Sequence, residues 1–288
     1  MREAFAAGLF YPKEKNKLLI SIKDSFEHKL GPNKSKASCY AKGFIIPHAG
    51  YVFSGPCAAH AFKQIRATDI KTFLILGFSH RGSGNAALSI SKEDWQTPLG
   101  IAKNNIDLGK EFIKHTDAII DEQSHQMEHS IEVMLPILQY VSSDFTFVPI
   151  NVSGNCDFKE LGEKIAQIIK SKKVIVIASS DFTHYGNNFG YTPFDDAKKY
   201  NSNSKIKEKI KKLDMGAIEH ILNINSVEFR KYIAKTGATI CGINTISLII
   251  EIMKNLGNTK TKLLKYYTSA EITQDDEHSV SYASISFS

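Results

Sequence analysis

The chain has 288 residues, 42% of them hydrophobic, and a formal net charge of +6. That is enough apolar material for one large α/β domain or two small ones, and no apolar run reaches the roughly 18 residues of a membrane span. The cysteines, Cys39, Cys57, Cys156 and Cys241, form no CxxC pair, which argues against a zinc knuckle, a thioredoxin-type site or a disulfide scaffold.

Met1-Arg2-Glu3-Ala4-Phe5 carries an early acid and no long apolar core, so it does not read as a signal peptide, and a cytoplasmic protein is expected. The positive charge gathers at Lys13 to Lys17, Lys34 to Lys36, Lys170 to Lys173 and Lys205 to Lys212. These runs lack interleaved aromatics, so they read as solvated faces rather than a nucleic-acid surface, with an anionic substrate left open.

In chain order, Leu18, Ile22 and Phe26 recur every four residues and predict a helix over Lys17 to Lys29, stopped by Gly31-Pro32. Phe44 to Ile46 is a short buried strand, Gly55 to Gln64 an alanine-rich helix, and Thr72 to Leu76 a second strand. Lys92 to Lys103, with Trp95, Pro98 and Gly100, reads as an ordered loop or hairpin. Asp107 to Lys114 is a helix; His129 to Val141 is another, expected to bend near Pro136. Strand Phe145 to Ile150, helix Phe158 to Lys170 and strand Lys173 to Ala178 follow. Ser202 to Asn223 predicts one or two helices, Thr245 to Leu256 an apolar helix, and Leu263 to Ser269 and Val280 to Phe287 the final strands. Helices between β-branched runs predict an α/β fold with a mixed, largely parallel sheet flanked by helices.

Three apolar runs end in side chains that bind metals or move protons. Phe44 to Ile46 ends in Pro47-His48, Thr72 to Leu76 in Gly77-Phe78-Ser79-His80, and Val174 to Ala178 in Ser179-Ser180-Asp181-Phe182-Thr183-His184. In open α/β sheets the site lies outside the carboxyl ends of the strands, and His48, His80 and Asp181 fall there. Asp181 can orient an imidazole or accept a proton, or cap a short helix; His184 can act as acid or base.

His125-Gln126-Met127-Glu128-His129 matches the H-x-x-E-H pattern, which on a helix sets both histidines on one face. No downstream acidic third ligand accompanies it, so a metalloprotease is disfavoured. Glu128 or Ser130 is then a helix cap, or one of the two histidines joins His48 and His80 in a common pocket. Cys241 precedes an apolar helix, whose positive end favours its thiolate; it reads as a ligand, a nucleophile or an inert buried thiol. No G-x-S-x-G elbow and no phosphate-binding glycine loop is present; Gly82-Ser83-Gly84 lacks the GK that a P-loop needs.

Taken together, Ala7-Gly8-Leu9-Phe10-Tyr11-Pro12, Pro47-His48-Ala49-Gly50-Tyr51, Cys57-Ala58-Ala59-His60-Ala61, Leu76-Gly77-Phe78-Ser79-His80, Glu128-His129-Ser130-Ile131-Glu132, Ser179 to His184, Thr239-Ile240-Cys241-Gly242 and Ser281-Tyr282-Ala283 resemble the Memo family nearly end to end. Its microbial members are called AmmeMemoRadiSam system protein B. The resemblance implies one Memo-like domain over residues 1–288, related in fold to class III extradiol ring-cleaving dioxygenases. It implies metal ligands His48, His80 and Cys241, with Asp181 and His184 beside them or facing substrate; an oxygenase-like mechanism would then use His129 or His184 for the proton and Asp181 or Glu128 to orient an imidazole. The metal implied is Fe(II), with copper or zinc as alternatives. The implied substrate is an unknown small molecule or peptide, with a pathway link to radical-SAM and AMMECR1-domain proteins.

The oxygenase facial triad is two histidines and a carboxylate. A thiolate in the third place preserves charge but is softer and oxidisable. Three functions therefore compete: a metal-dependent redox enzyme, a metal-binding or carrier protein, and a protein-interaction module with a vestigial pocket.

Overall fold

The computed structural model describes residues 1–33, 40–80, 86–154, 156–194 and 203–288. Cys39, Lys34 to Lys36, Gly82 to Gly84 and Ser202 lie outside them. In chain order the elements are α1 (Lys15–Glu27), β1 (Gly43–Ile46), α2 (Tyr51–Arg66), β2 (Thr72–Gly77), β3 (Leu88–Ile90), β4 (Trp95–Thr97) and β5 (Gly100–Asn104). Then come α3 (Ile106–His115), β6 (Ile119–Ile120), α4 (Glu122–Gln126), α5 (Met134–Val141), β7 (Thr146–Val152), α6 (Phe158–Ile169) and β8 (Val174–Ser179). The rest are β9 (His184–Tyr185), α7 (Asn203–Leu222), α8 (Ser226–Thr236), α9 (Ile243–Asn255), β10 (Thr261–Thr268), α10 (Ala270–Thr273) and β11 (Ser279–Phe287).

The main sheet runs β10-β11-β1-β8-β2-β7-β3-β6. Its centre, β1-β8-β2-β7, is parallel. The flanks turn antiparallel, β11 against β1 and β10, and β3 against β7. This is the α/β fold with a mixed, largely parallel sheet that the sequence predicts. The apolar runs are continuous because both faces of the central strands are covered. Ile45, Leu74, Leu76, Val176 and Ala178 point to the side of Phe112, Ile165, Ile221, Phe229 and Ile249. Phe44, Ile46, Phe73, Ile75, Ile175 and Ile177 point to the side of Leu18, Ile22, Phe62, Leu135 and Leu138. Among the described residues, no helix is long and apolar enough to cross a membrane.

Three expectations change. The helix expected from His129 starts at Met134, because residues 128–133 form turns whose polar groups are bound elsewhere. Pro136 is thereby the third residue of α5, where its missing N–H costs no intrahelical bond, so it opens a helix rather than bending one. Helix α2 starts four residues before Gly55, at Tyr51, with Pro56 inside it. The Trp95 region, by contrast, takes one of its two expected forms, the hairpin β4-β5.

Candidate metal centre

Register places the first two candidate side chains. Strands β1 and β8 are parallel with Ile46 opposite Ser179, so the residues two further on, His48 and Asp181, emerge side by side. Pro47 has no N–H to continue the ladder, and the chain turns into α2. The Asp181 Oδ1 accepts from the backbone N–H of His48 at 2.8 Å and of Ala49 at 3.3 Å. Asp181 therefore caps this turn rather than a helix of its own; the chain after it is extended into β9.

Cys241 reaches the same point from the start of α9. Gly242 permits this: a Cβ there would lie 2.4 Å from Ser180 Cβ and 2.7 Å from Ser179 O. Its close approach is thus to the β8 turn. Cys241 Sγ lies 3.4 Å from His48 Nε2 and accepts from Asp181 N–H at 3.2 Å. Burial and the Asp181 carboxylate push its thiol pKa well up. In the absence of a cation these outweigh the helix-end effect expected from the sequence.

His80 follows β2 and is held by Glu128. The Glu128 carboxylate accepts from the His80 backbone N–H at 2.7 Å and from its ring Nδ1 at 2.8 Å. It also accepts from the N–H groups of His129 and Ser130, at 2.9 and 2.8 Å. Burial would raise its pKa, but the His80 hydrogen bond and charge and these N–H donors hold it down, to about 2. Gly77 makes the approach of this turn feasible: a Cβ would lie 2.5 Å from Ile131 Cγ1 and 2.6 Å from Ser130 Oγ. Glu128 therefore caps this turn rather than the helix expected to follow it, and it is the group that orients an imidazole.

His48, His80 and Cys241 offer one donor atom each within 4.8 Å of one another. The other nitrogen of each histidine is occupied, His48 Nδ1 by Ser179 Oγ at 2.7 Å and His80 Nδ1 by Glu128. Two imidazole nitrogens and a sulfur, with the rings fixed from behind, form a donor set that fits a first-row transition metal. Burial, followed by the neighbouring His80, drives the His48 pKa well below its ordinary value, which leaves its lone pair free.

The H-x-x-E-H pattern splits. His125, at the end of α4, is buried against Trp95 with ring centroids 5.6 Å apart, and its Nε2 donates to Ser89 O at 3.0 Å. His129 turns the other way, 5.4 Å from the His48 ring and stacked at 4.2 Å on His80. Its other face stacks on Phe10 at 4.0 Å. Burial, then His48 and His80, lower its basicity. His184 is placed by Nδ1 between the carbonyls of Phe182 and Thr239, at 2.9 and 3.0 Å. Burial raises the Asp181 pKa, and His184 lies close enough to offset part of that rise and to lower the basicity of His48.

Sequence reasoning missed the supports: Ser179 and Ser130 behind the histidines, Thr239 behind His184, and Phe10. It also missed Glu132, which binds the first residues of the chain. Glu132 accepts from the N–H groups of Phe5 and Ala6 and from the Tyr11 hydroxyl, and pairs with Arg2. Its place among the quoted motifs was the available signal, but nothing in the sequence names its partners.

The family model described as Memo-like protein matches residues 2–286. A Nitrosopumilus maritimus protein described as a MEMO1 family protein is 34% identical over 293 residues, covering 100% of this chain and 99% of the relative. Relatives of the same description from Thermoplasma volcanium and Methanocaldococcus jannaschii are each 35% identical. The first covers 99% of this chain and 97% of its own length, the second 99% and 98%.

Proposed function

The chain belongs to the Memo-like family, and on that premise we propose that it is a metal-dependent redox enzyme acting on a small molecule. His48, His80 and Cys241 hold the metal, with Fe(II) the first choice and copper or zinc as alternatives. The observation that carries the reading is the convergence of three donor atoms within 4.8 Å, with the far nitrogen of each histidine already hydrogen-bonded. When bound, iron or copper would supply one-electron redox chemistry between oxygen and a reduced substrate, which zinc, having no redox change, would not.

The chain's own residues do the rest. Glu128 fixes the His80 ring and Ser179 the His48 ring. His129 is the proton carrier: its Nδ1 is 3.6 Å from Glu128 Oε1, too far for a strong hydrogen bond, so its protons are less tied than those of His48, His80 or His184. Asp181 Oδ2 lies 3.9 Å from His48 Nε2. It faces the reacting centre as a second proton acceptor, and its partner His184 steadies it. Phe10 and Phe78 wall the site: Phe10 stacks on His129 and the Phe78 ring lies 4.0 Å from His80.

A second reading, metal carriage without turnover, is favoured by the His80 side chain, which is 32% exposed beside a soft sulfur donor. Exchange of bound metal is then faster than any oxygen uptake. The test is metal content by mass spectrometry on protein purified without oxygen or a metal-affinity tag, beside His48→Ala and Cys241→Ala. Near-stoichiometric iron or copper, lost in both variants, supports one site and leads to an oxygen-uptake screen. No metal in the parent, and no tight uptake of Fe(II), Cu(I) or Zn(II), sinks the metal reading.

A further inference from the structure

Ser179 sits at the end of β8, fully buried, between two groups that need it. Its Oγ is 2.6 Å from the backbone carbonyl of Ser130 and 2.7 Å from Nδ1 of His48. A serine hydroxyl has one hydrogen to donate and two lone pairs to accept with. A carbonyl oxygen only accepts, so the hydrogen goes to Ser130 O. The Ser179 oxygen must then accept from His48, which places the ring hydrogen on Nδ1. In a neutral imidazole the other nitrogen, Nε2, is left with a bare lone pair. That nitrogen faces Cys241 Sγ at 3.4 Å.

The same serine ties the two histidine turns together. Ser130, whose carbonyl receives the Ser179 hydrogen, donates its own hydroxyl to Phe78 O at 3.1 Å and accepts from Phe78 N at 3.3 Å. Phe78 is two residues before His80. The chain His48-Ser179-Ser130-Phe78 therefore runs unbroken from one imidazole to the turn carrying the other.

We propose that Ser179 is a positioning residue that locks His48 as its Nδ1–H tautomer and couples it through Ser130 to the His80 turn, so that both donor nitrogens are set before a metal arrives. The advantage of such a lock is preorganisation: the far partner of a ligating histidine fixes tautomer and ring direction, and losing one typically costs 10–100-fold in metal affinity. The inference rests on the metal reading for its purpose but not for its test, since the tautomer belongs to the metal-free protein.

The experiment is long-range proton–nitrogen NMR on metal-free protein with ¹⁵N-labelled histidine, for the parent, Ser179→Ala and Ser179→Thr, with His48→Gln to assign the resonance. Each is then titrated with Co(II), following the sulfur-to-cobalt absorption. The parent is expected to show His48 protonated at Nδ1. Ser179→Ala should show a mixture or the other tautomer and bind Co(II) about 10–100-fold more weakly, and Ser179→Thr should return both readouts toward the parent. A merely structural serine would lower the unfolding midpoint in Ser179→Ala without changing the tautomer. The proposal is overturned by an Nε2–H tautomer in the parent, which decides the matter even if Ser179→Ala does not fold. An unchanged tautomer in Ser179→Ala also overturns it. A parent that shows the Nδ1–H form yet takes up no Co(II) or other metal sinks the metal reading while sparing the lock.

Discussion

Arg2 and Glu132 form an ion pair of 2.6 Å with both side chains buried. The same guanidinium donates to the carbonyls of His125 and Glu128, each at 2.7 Å, and stacks 4.0 Å over Trp95. One residue near the start of the chain thus grips both ends of the turn that presents Glu128 and His129. Removing one member strands a buried charge, which typically costs 3–5 kcal/mol. Glu132→Ala and Arg2→Ala should each lower the urea midpoint by a corresponding amount. The double variant Arg2→Met/Glu132→Leu should lose less than the sum of the singles, because no charge is stranded. Additive losses would show that the pair acts as two independent packing groups.

Buried neutral histidines make the metal-free fold acid-sensitive. Burial lowers the pKa values of His48, His125 and His129 from the ordinary 6.5. The unfolded chain then binds protons at a higher pH than the folded one. The stability from each neutral ring is full above about pH 6.5 and is lost as the pH falls below it, by up to about 1.4 kcal/mol per unit. For His125 the window closes near its folded value of about 4. The variant His125→Gln keeps a donor for Ser89 O but no longer titrates. Its unfolding free energy between pH 6.5 and 4.5 should fall less steeply than the parent's, by about one proton. Parallel curves would mean that His125 protonates equally in both states.

The parts of this molecule that were legible in sequence are the ones set by local pattern. Both faces of β1, β2 and β8 are covered, so their apolar runs stand out, and His48, His80 and Asp181 follow from the strand ends. Cys241 came from the family resemblance and its place before an apolar helix. Less legible were features decided across the sheet. The turn at residues 128–133 carries a helical pattern, yet Glu128, Ser130 and Glu132 are each claimed by distant partners, so the helix starts late. The opposite fates of His125 and His129 depend on Trp95 and Phe10, which no spacing rule connects to them. Helix α8 was readable but unread: Asn225 caps it by accepting from Glu228 N–H, and Gly237 ends it at φ 67°.

Gly242 and Gly77 are close-approach glycines rather than flexible ones. Neither has a positive φ, yet a Cβ on either would overlap a neighbour at 2.4–2.5 Å. Gly242→Ala should push α9 and Cys241 away from Ser180, and Gly77→Ala should push the turn of Glu128 away from β2. Overpacking of this kind costs about 1–3 kcal/mol. Each variant should lose that much by denaturant titration and bind Co(II) more weakly than its stability loss alone explains. Unchanged affinity in a folded Gly242→Ala would show that Cys241 does not depend on this contact for its position.

The buried thiol should make metal binding pH-dependent in a specific way. A metal takes the thiolate, but burial and Asp181 keep Cys241 protonated through neutral pH in the metal-free protein. Binding must therefore release that proton, and affinity should gain about tenfold per pH unit from the thiol alone between pH 7 and 9. The variant Cys241→Asp substitutes a carboxylate that ionises at far lower pH and yields the two-histidine, one-carboxylate set of the oxygenases. Parent and variant share the histidine protons, so the difference between their slopes isolates the thiol. Chelator competition for Zn(II) at pH 7, 8 and 9 should show the variant's slope shallower by about one proton. Coincident slopes would mean that Cys241 does not ligate the metal as thiolate, and His48 and His80 would then have to bind without it.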